Sequence, residues 1–285
     1  MKLRIRFYDS HTVVGAFALA VAITAGLAVP MNAVAQTAPL TLVAVLAHPD
    51  DEGPAGPVLA RYARQGVQVY LIVASNGDQG VGANPDFLRA QSITAGDALG
   101  KMRAEEAHCS ATALGANPPI LLGFPDGKLG DYISDRTLLF RLTERIAAEI
   151  QRLHPDALIT WGPDGGTGHP DHRLVSSLLT QLVRASAPGA TDRLFYMYIP
   201  AEGMAAMNPQ RGAPPMLVPA AKYLTTIVPY TPADLDAAKR SMPCHRSQYS
   251  TDVIERVFPM QARSWNGNVT FAPAYPAYAG KDLFK

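Results

Sequence analysis

The sequence predicts an α/β protein with a Rossmann-like, mostly parallel sheet carrying helices on both faces, and three observations lead there. After residue 40, short apolar runs alternate with longer amphipathic stretches. Strand and helix in alternation require crossover connections, which set successive strands parallel and cover both faces of the sheet. The residues richest in chemistry follow two of the apolar runs, at 42–46 and 157–161, and an open parallel sheet presents its reactive groups at the carboxyl ends of its strands.

In chain order, the first 35 residues stand apart. Lys2, Arg4 and Arg6 precede an apolar stretch over 13–29, and Ala33-Val34-Ala35 precedes Gln36. A basic start, an apolar centre and a small-residue exit are the layout of a secretory signal, expected to be cleaved after Ala35. The competing reading is an uncleaved anchor, since the stretch approaches the roughly 18 apolar residues that span a bilayer. Its many Ala and Gly residues and its exit site favour cleavage. Nothing later is apolar enough to span, so the mature chain is expected to be exported, periplasmic or secreted, without stable membrane insertion.

Residues 36–285 then read as one domain. Strands are expected at 42–47, 67–75, 120–124, 157–161, 194–199 and 223–228, each a short apolar run. Helices are expected between them at 57–65, 86–98, 103–114, 136–153, 172–186 and 232–242, each amphipathic. The intervening loops at 76–85, 162–168 and 203–219 are rich in Gly, Pro and small polar residues, and loops carried on such a sheet shape its cleft. From about residue 249 the aromatics and prolines show little period, which suggests an irregular extension, either a β-rich flap or a wrap around the sheet.

Composition narrows the partners. The formal charge is +1, and without the first 35 residues the chain holds 22 basic and 23 acidic residues, so no nucleic-acid footprint is expected. Cys109 and Cys244 form no CxxC, which argues against a cysteine-ligated metal. They are either a disulfide, permitted in an oxidising compartment, or two small buried side chains.

Two clusters carry the chemistry. Ala47-His48-Pro49-Asp50-Asp51-Glu52 ends the first strand, and Gly168-His169-Pro170-Asp171-His172-Arg173 follows the fourth. A hydrolytic zinc ion wants three protein ligands and one open position for water. His48 and Asp51, three apart in a turn stiffened by Pro49, can converge on one point, and His172 is the best third ligand. Asp50, adjacent but not needed as a ligand, is placed to take a proton from metal-bound water. His169 would face the other side of the substrate, stabilising an oxyanion or protonating a leaving amine, with Asp171 holding its ring in one tautomer. Iron(II) also fits two histidines and one aspartate.

These clusters together resemble the paired signature of the PIG-L/LmbE family of zinc-dependent deacetylases, which act on N-acetylglucosamine-containing compounds. Further elements are similar to that family's: Asn76-Gly77-Asp78-Gln79-Gly80 after the second strand, Arg103 and Glu106 on a helix ending in Leu114-Gly115, Phe124-Pro125-Asp126-Gly127-Lys128-Leu129, and His245-Arg246-Ser247-Gln248. The resemblance runs from about 42 to 248. It implies zinc on His48, Asp51 and His172, Asp50 as general base and His169 stabilising the transition state. It also implies Arg103 and Asp126 near the sugar. For Arg103 the plainer alternative is a surface ion pair with Glu106, and for Asp126 a turn cap. Glu52, His245 and Gln248 read as supports. Thr167 departs from the tyrosine that mycothiol-pathway members carry there, which argues against a step using a phenol at that position and against a mycothiol-type substrate.

The expected activity is therefore an exported hydrolase that removes an acyl group, acetyl above all, from an N-acylated amino sugar or glycoconjugate. The alternatives are a zinc amidase on another amide, such as a thiol conjugate, and a carbohydrate-binding relative without turnover.

Overall fold

Strand β1 (Thr41–Leu46) is apolar on both sides, and its side chains enter two separate cores. Leu42, Ala44 and Leu46 join one hydrophobic cluster while Val43 and Val45 join the other, as the period of two demands for a strand covered on both faces. In the computed structural model, which describes residues 38–199 and 219–285, β1 lies at the centre of the sheet. The expected export signal and nearly all of the loop at 203–219 lie outside the described residues.

From β1 the chain runs outward through helix α1 (Gly56–Arg64) to β2 (Gln68–Ser75), then through α2 (Pro85–Ala90) and α3 (Asp97–Leu114) to β3 (Ile120–Phe124). Helix α4 (Arg136–Leu153) returns it to β4 (Ala157–Trp161) on the other side of β1, and α5 (Pro170–Arg184) leads to β5 (Leu194–Met197). The sheet order among the described residues is β3-β2-β1-β4-β5-β7-β6, where β6 is Thr226–Pro229 and β7 is Asn268–Pro273. The first five strands pair in parallel. The direction of travel reverses between β1 and β4, which opens a crevice at their carboxyl ends, the place where such sheets bind ligands. Both chemistry-bearing clusters arrive there.

The sequence reading needs three corrections. The helix expected over 86–98 is two helices, because α2 stops at Ala90 and Gly96 (φ 115°) precedes α3. The strand expected over 223–228 begins only at Thr226, after a short turn at Ala221–Tyr223. The tail from 249 is regular: α7 (Thr251–Trp265) packs Ile254, Phe258, Ala262 and Trp265 against the core, and β7 pairs antiparallel with both β5 and β6. Pro259 hides this helix in the sequence, since a proline inside a helical pattern ordinarily ends it. No helix among the described residues is long and apolar enough to cross a membrane.

Helix α6 (Pro232–Ser241) leads into a short turn, Met242–Cys244, and Cys244 bonds to Cys109 of α3 with a Cα–Cα distance of 5.6 Å. The bridge joins residues 135 apart in sequence, and the chain-entropy relation puts a loop of that size near 5 kcal/mol, with native disulfides typically worth about 2–5 kcal/mol. The variant Cys109→Ala/Cys244→Ala is accordingly expected to lose about 2–5 kcal/mol of unfolding free energy, read as a lower guanidinium midpoint under non-reducing conditions. An unchanged midpoint would mean that the surrounding contacts hold these segments together without the bridge.

Candidate metal centre

The loop after β1 is shaped by its own aspartates. Asp51 turns back so that Oδ2 accepts the backbone N–H of Ala47 at 2.9 Å and of His48 at 2.8 Å, leaving Oδ1 facing the crevice. Asp50 takes up a left-handed backbone (φ 104°), a conformation that costs a non-glycine residue about 1–3 kcal/mol and persists only where neighbours enforce it. Arg103 of α3 does so, donating from Nη2 to the Pro49 carbonyl and, at 3.0 Å, to Asp50 Oδ1. Its Nη1 donates to Gly77 O at 3.0 Å. Gly77 and Gly80 come so close to that guanidinium that a Cβ at either would lie 2.6 Å or 2.5 Å from it, which is why this loop needs glycine.

Beyond β4, His169 caps α5, and its Nδ1 accepts the Asp171 N–H at 3.2 Å. One turn in, His172 lies with its ring stacked on Trp161 at 4.9 Å and 5°, and its Nδ1 donates to Gly165 O at 2.9 Å. That bond leaves His172 Nε2 with its lone pair directed at the crevice.

The predicted ligands meet. His172 Nε2 lies 2.9 Å from His48 Nδ1 and 3.1 Å from Asp51 Oδ1. On the far side of the His48 ring, Nε2 stands 3.0 Å from Asp126 Oδ1 and 3.5 Å from Asp171 Oδ2, close enough for charge though not aligned for an ideal bond. Both rings thus commit one nitrogen outward and turn the other towards the Asp51 carboxylate, His172 Nε2 to Oδ1 and His48 Nδ1, at 3.8 Å, to Oδ2, and two lone pairs so close favour a positive charge between them. Tetrahedral bonds of about 2.05 Å would set such donors about 3.3 Å apart, against 2.9 and 3.1 Å for the two pairs that include His172 and 3.8 Å for His48 Nδ1 to Asp51 Oδ2, so a zinc-sized ion fits after shifts of up to about half an ångström. His48, His169 and His172 also place donors within 4.8 Å of one another, as do His48, Asp126 and Asp171. In those sets the His169 Nδ1 and one oxygen of each aspartate already serve backbone N–H groups, whereas Asp51 Oδ1 is free of them.

Electrostatics point the same way. Burial opposes a charged His48, yet Asp126, Asp171 and Asp51 hold its pKa well above the ordinary value, and His172 is raised against burial chiefly by Asp51. Burial works to raise Asp51, but the two histidines hold its carboxyl well below the usual range. The pocket favours positive charge at this point. Asp50 differs: burial pushes its carboxyl up, with Arg103 opposing, as befits a base rather than a ligand. His169 is pushed down by burial and by the two neighbouring rings, so it is held neutral with its proton on Nε2.

Three expected roles change. Arg103 is only 3% exposed, its Nη1 and Nη2 are taken up by Pro49, Gly77 and Asp50 while Nε has no partner among the described residues, and it holds Asp50 from behind. It is not paired with Glu106, whose carboxylate instead accepts the N–H and the hydroxyl of Ser247, both at 2.7 Å. Asp126 buttresses His48 and accepts Gln79 N at 3.3 Å. Asp171, 1% exposed, accepts Gly127 N at 2.9 Å and faces His48; its carboxylate does not bond the His169 ring, which is oriented by the Asp171 backbone. Fixing the α5 N-terminus turns that carboxylate inward, away from its neighbour.

Sequence reasoning left the outer supports undeveloped. Glu52 Oε1 accepts from Ser110 and lies 2.6 Å from His245 Nε2, while Glu52 Oε2 accepts Asp50 N at 3.2 Å. Gln248 donates to Gly80 O at 3.0 Å. These partners lie far apart in sequence, 193 residues for His245 and Glu52, and the sequence marks Glu52, His245 and Gln248 as supports without showing which groups they pair with. Around the centre lies a cavity of about 290 Å³, reached by Asp50, His169 and Tyr249 among others.

The sequence pattern that defines the family PIG-L, "GlcNAc-PI de-N-acetylase", matches residues 43–183. The chain thus carries a PIG-L domain over residues 43–183, just under half of its length. Of the site residues described above, all but His245, Ser247, Gln248 and Tyr249 lie within the matched region. A 1D-myo-inositol 2-acetamido-2-deoxy-alpha-D-glucopyranoside deacetylase of Actinosynnema mirum is 33% identical over 172 residues, covering 56% of this chain and 60% of that protein. The chain spans about half the length of the curated relatives it matches, 47–60% for the first three. Among solved structures, N,N'-diacetylchitobiose deacetylase from Pyrococcus horikoshii has a TM-score of 0.54 at 17% identity, covering 81% of this chain and 82% of that one. GalB, the 4-carboxy-2-hydroxymuconate hydratase of Pseudomonas putida, has a TM-score of 0.53 at 19% identity, covering 79% and 83%. A hydratase on the same fold shows that the fold alone does not set the reaction.

Metal titration tests the centre without reference to turnover. Wild-type protein is expected to bind one zinc ion per chain by equilibrium dialysis, and His48→Ala, Asp51→Ala or His172→Ala to lose it. Asp126→Asn should weaken binding about 10–100-fold through His48 alone. Full retention by all three ligand variants would place the ion elsewhere.

Proposed function

We propose that this chain is a zinc-dependent N-deacylase that hydrolyses the amide of an N-acylated amino sugar or a glycoconjugate of one, with iron(II) as the alternative ion on the same donors. The observation that carries the reading is the convergence of His48, Asp51 and His172 on one point with Asp50 and His169 beside it. The inositol-linked and chitobiose-directed deacetylases among its relatives support the substrate class. A divalent ion on these donors supplies Lewis acidity, lowering the pKa of water towards about 7 and polarising a carbonyl.

The chain's own groups do the rest. Asp50, held by Arg103 and by its strained backbone, takes a proton from the attacking water as the new C–O bond forms. His169, neutral and with Nδ1 occupied by backbone, presents Nε2–H to the developing oxyanion. The C–N bond then breaks, the water oxygen stays with the carboxylate product, and the proton held by Asp50 passes to the leaving amine. A carbohydrate-binding relative without turnover would be expected to lack a base or a ligand, and both are present.

We also read the protein as exported, with residues 1–35 removed. The disulfide supports this, since such bridges persist in oxidising compartments; a mature N-terminus at Gln36 in the secreted or periplasmic fraction is the expected sequencing result.

Asp50→Asn is expected to keep its zinc and lower kcat at least about 100-fold on N-acetylglucosamine derivatives, and His169→Ala to lower it by about the same factor. Amine release measured over a panel of N-acetyl sugars, thiol conjugates and peptide amides identifies the substrate. Turnover confined to the non-sugar amides would replace the sugar reading, and undiminished turnover by Asp50→Asn would remove that residue from the chemistry.

A further inference from the structure

The cavity has two unlike halves. Towards β2 and β3 it is lined by Gly80, Arg103, Asp126 and Gln248, which are charged, polar or bare backbone. Towards α6 and α7 it is lined by Pro54, Ile199, Ala238, Met242, Val257 and Phe258. This second wall is continuous with the hydrophobic core, for Ile199, Ala238 and Phe258 are core members and Met242 packs against them. It offers little to a polar ligand. The Ser241 hydroxyl is spent on Ala238 O at 2.8 Å, and Gln261 is the polar side chain that α7 adds to the lining. Sugar hydroxyls pressed against it would give up water and gain few partners. Nearly all of the wall comes from residues after 183, outside the PIG-L match, so it belongs to this chain's own C-terminal part.

We infer that the apolar wall of Pro54, Ile199, Met242, Val257 and Phe258 is an acyl-chain subsite, and that the substrate carries an aliphatic N-acyl group several carbons longer than acetyl. This rests on the amide-hydrolase reading. The amide must sit at the metal donors, on the boundary between the two halves, with its amine portion to one side and its acyl portion to the other. The hydroxylated amino sugar matches the polar half, which leaves the hydrocarbon chain for the apolar one. Hydrolysis would release the chain as a fatty carboxylate and the sugar as a free amine, with water supplying the added oxygen and protons.

The test uses the zinc-loaded mature protein and N-acylglucosamines differing only in the acyl group: acetyl, butanoyl, hexanoyl and octanoyl. With burial of a methylene worth about fourfold, kcat/KM should rise at least about tenfold from acetyl to hexanoyl even with incomplete burial. Val257→Trp, which fills the wall, should cut the hexanoyl-to-acetyl ratio at least about fivefold by removing that space. In parallel, binding of acetate, butanoate, hexanoate and octanoate to wild-type protein is measured by calorimetry and should tighten with length. If no sugar amide is cleaved but the carboxylates still tighten with length, the subsite stands and the hydrolase reading fails. A flat or falling acyl series overturns the subsite, as does a flat series in which an octyl aglycone on N-acetylglucosamine raises kcat/KM instead.

Discussion

An excess of buried negative charge sets the terms for this molecule. Asp51, Glu52, Asp126 and Asp171 are all nearly inaccessible to solvent, and Asp50 stands among them, with Arg103 the one guanidinium among the described residues that contacts the group. Carboxylates removed from water are costly unless a positive charge compensates them. Here the compensation is layered. Arg103 answers Asp50, His245 answers Glu52, and His48 and His172 face Asp51 from two sides. The fold tolerates this arrangement because backbone N–H groups at 47, 48, 50, 79 and 127 stabilise the carboxylates as well.

One face of one helix distributes those answers. Arg103, Glu106 and Ser110 on α3 follow the three-and-four spacing of neighbours on a helix surface, and each grips a different piece of the site: Arg103 the base, Glu106 the Ser247 turn, Ser110 the Glu52 carboxylate. The disulfide leaves the same helix at Cys109 and fastens the segment that carries His245, Ser247 and Gln248. Helix α3 therefore ties the PIG-L region to the later residues that complete the cavity.

What the sequence made legible depended on distance along the chain. The strands β1 to β4 were readable because each is a continuous apolar run, and the two clusters at the crevice because His48 and Asp51 share one turn and His169 and His172 another. Arg103 and Asp126 were recognisable as important, but their placement was not, since whether a buried guanidinium faces the ligand or the base depends on loops 26 and 54 residues away. Asp171 was misjudged because adjacency to His169 suggested a contact that the helix start forbids. In the tail, Ile254, Phe258, Ala262 and Trp265 do keep helical spacing, and Pro259 among them masked it.

The placement of β7 inside the sheet bears on how the molecule is born. As the last strand in chain order it inserts between β5 and β6, so β5 has a bare edge throughout synthesis until residues 268–273 emerge. Completion of the sheet is thereby deferred until that later segment has been made, and an edge left unpaired for so long is a template that a strand from another chain can join in the meantime.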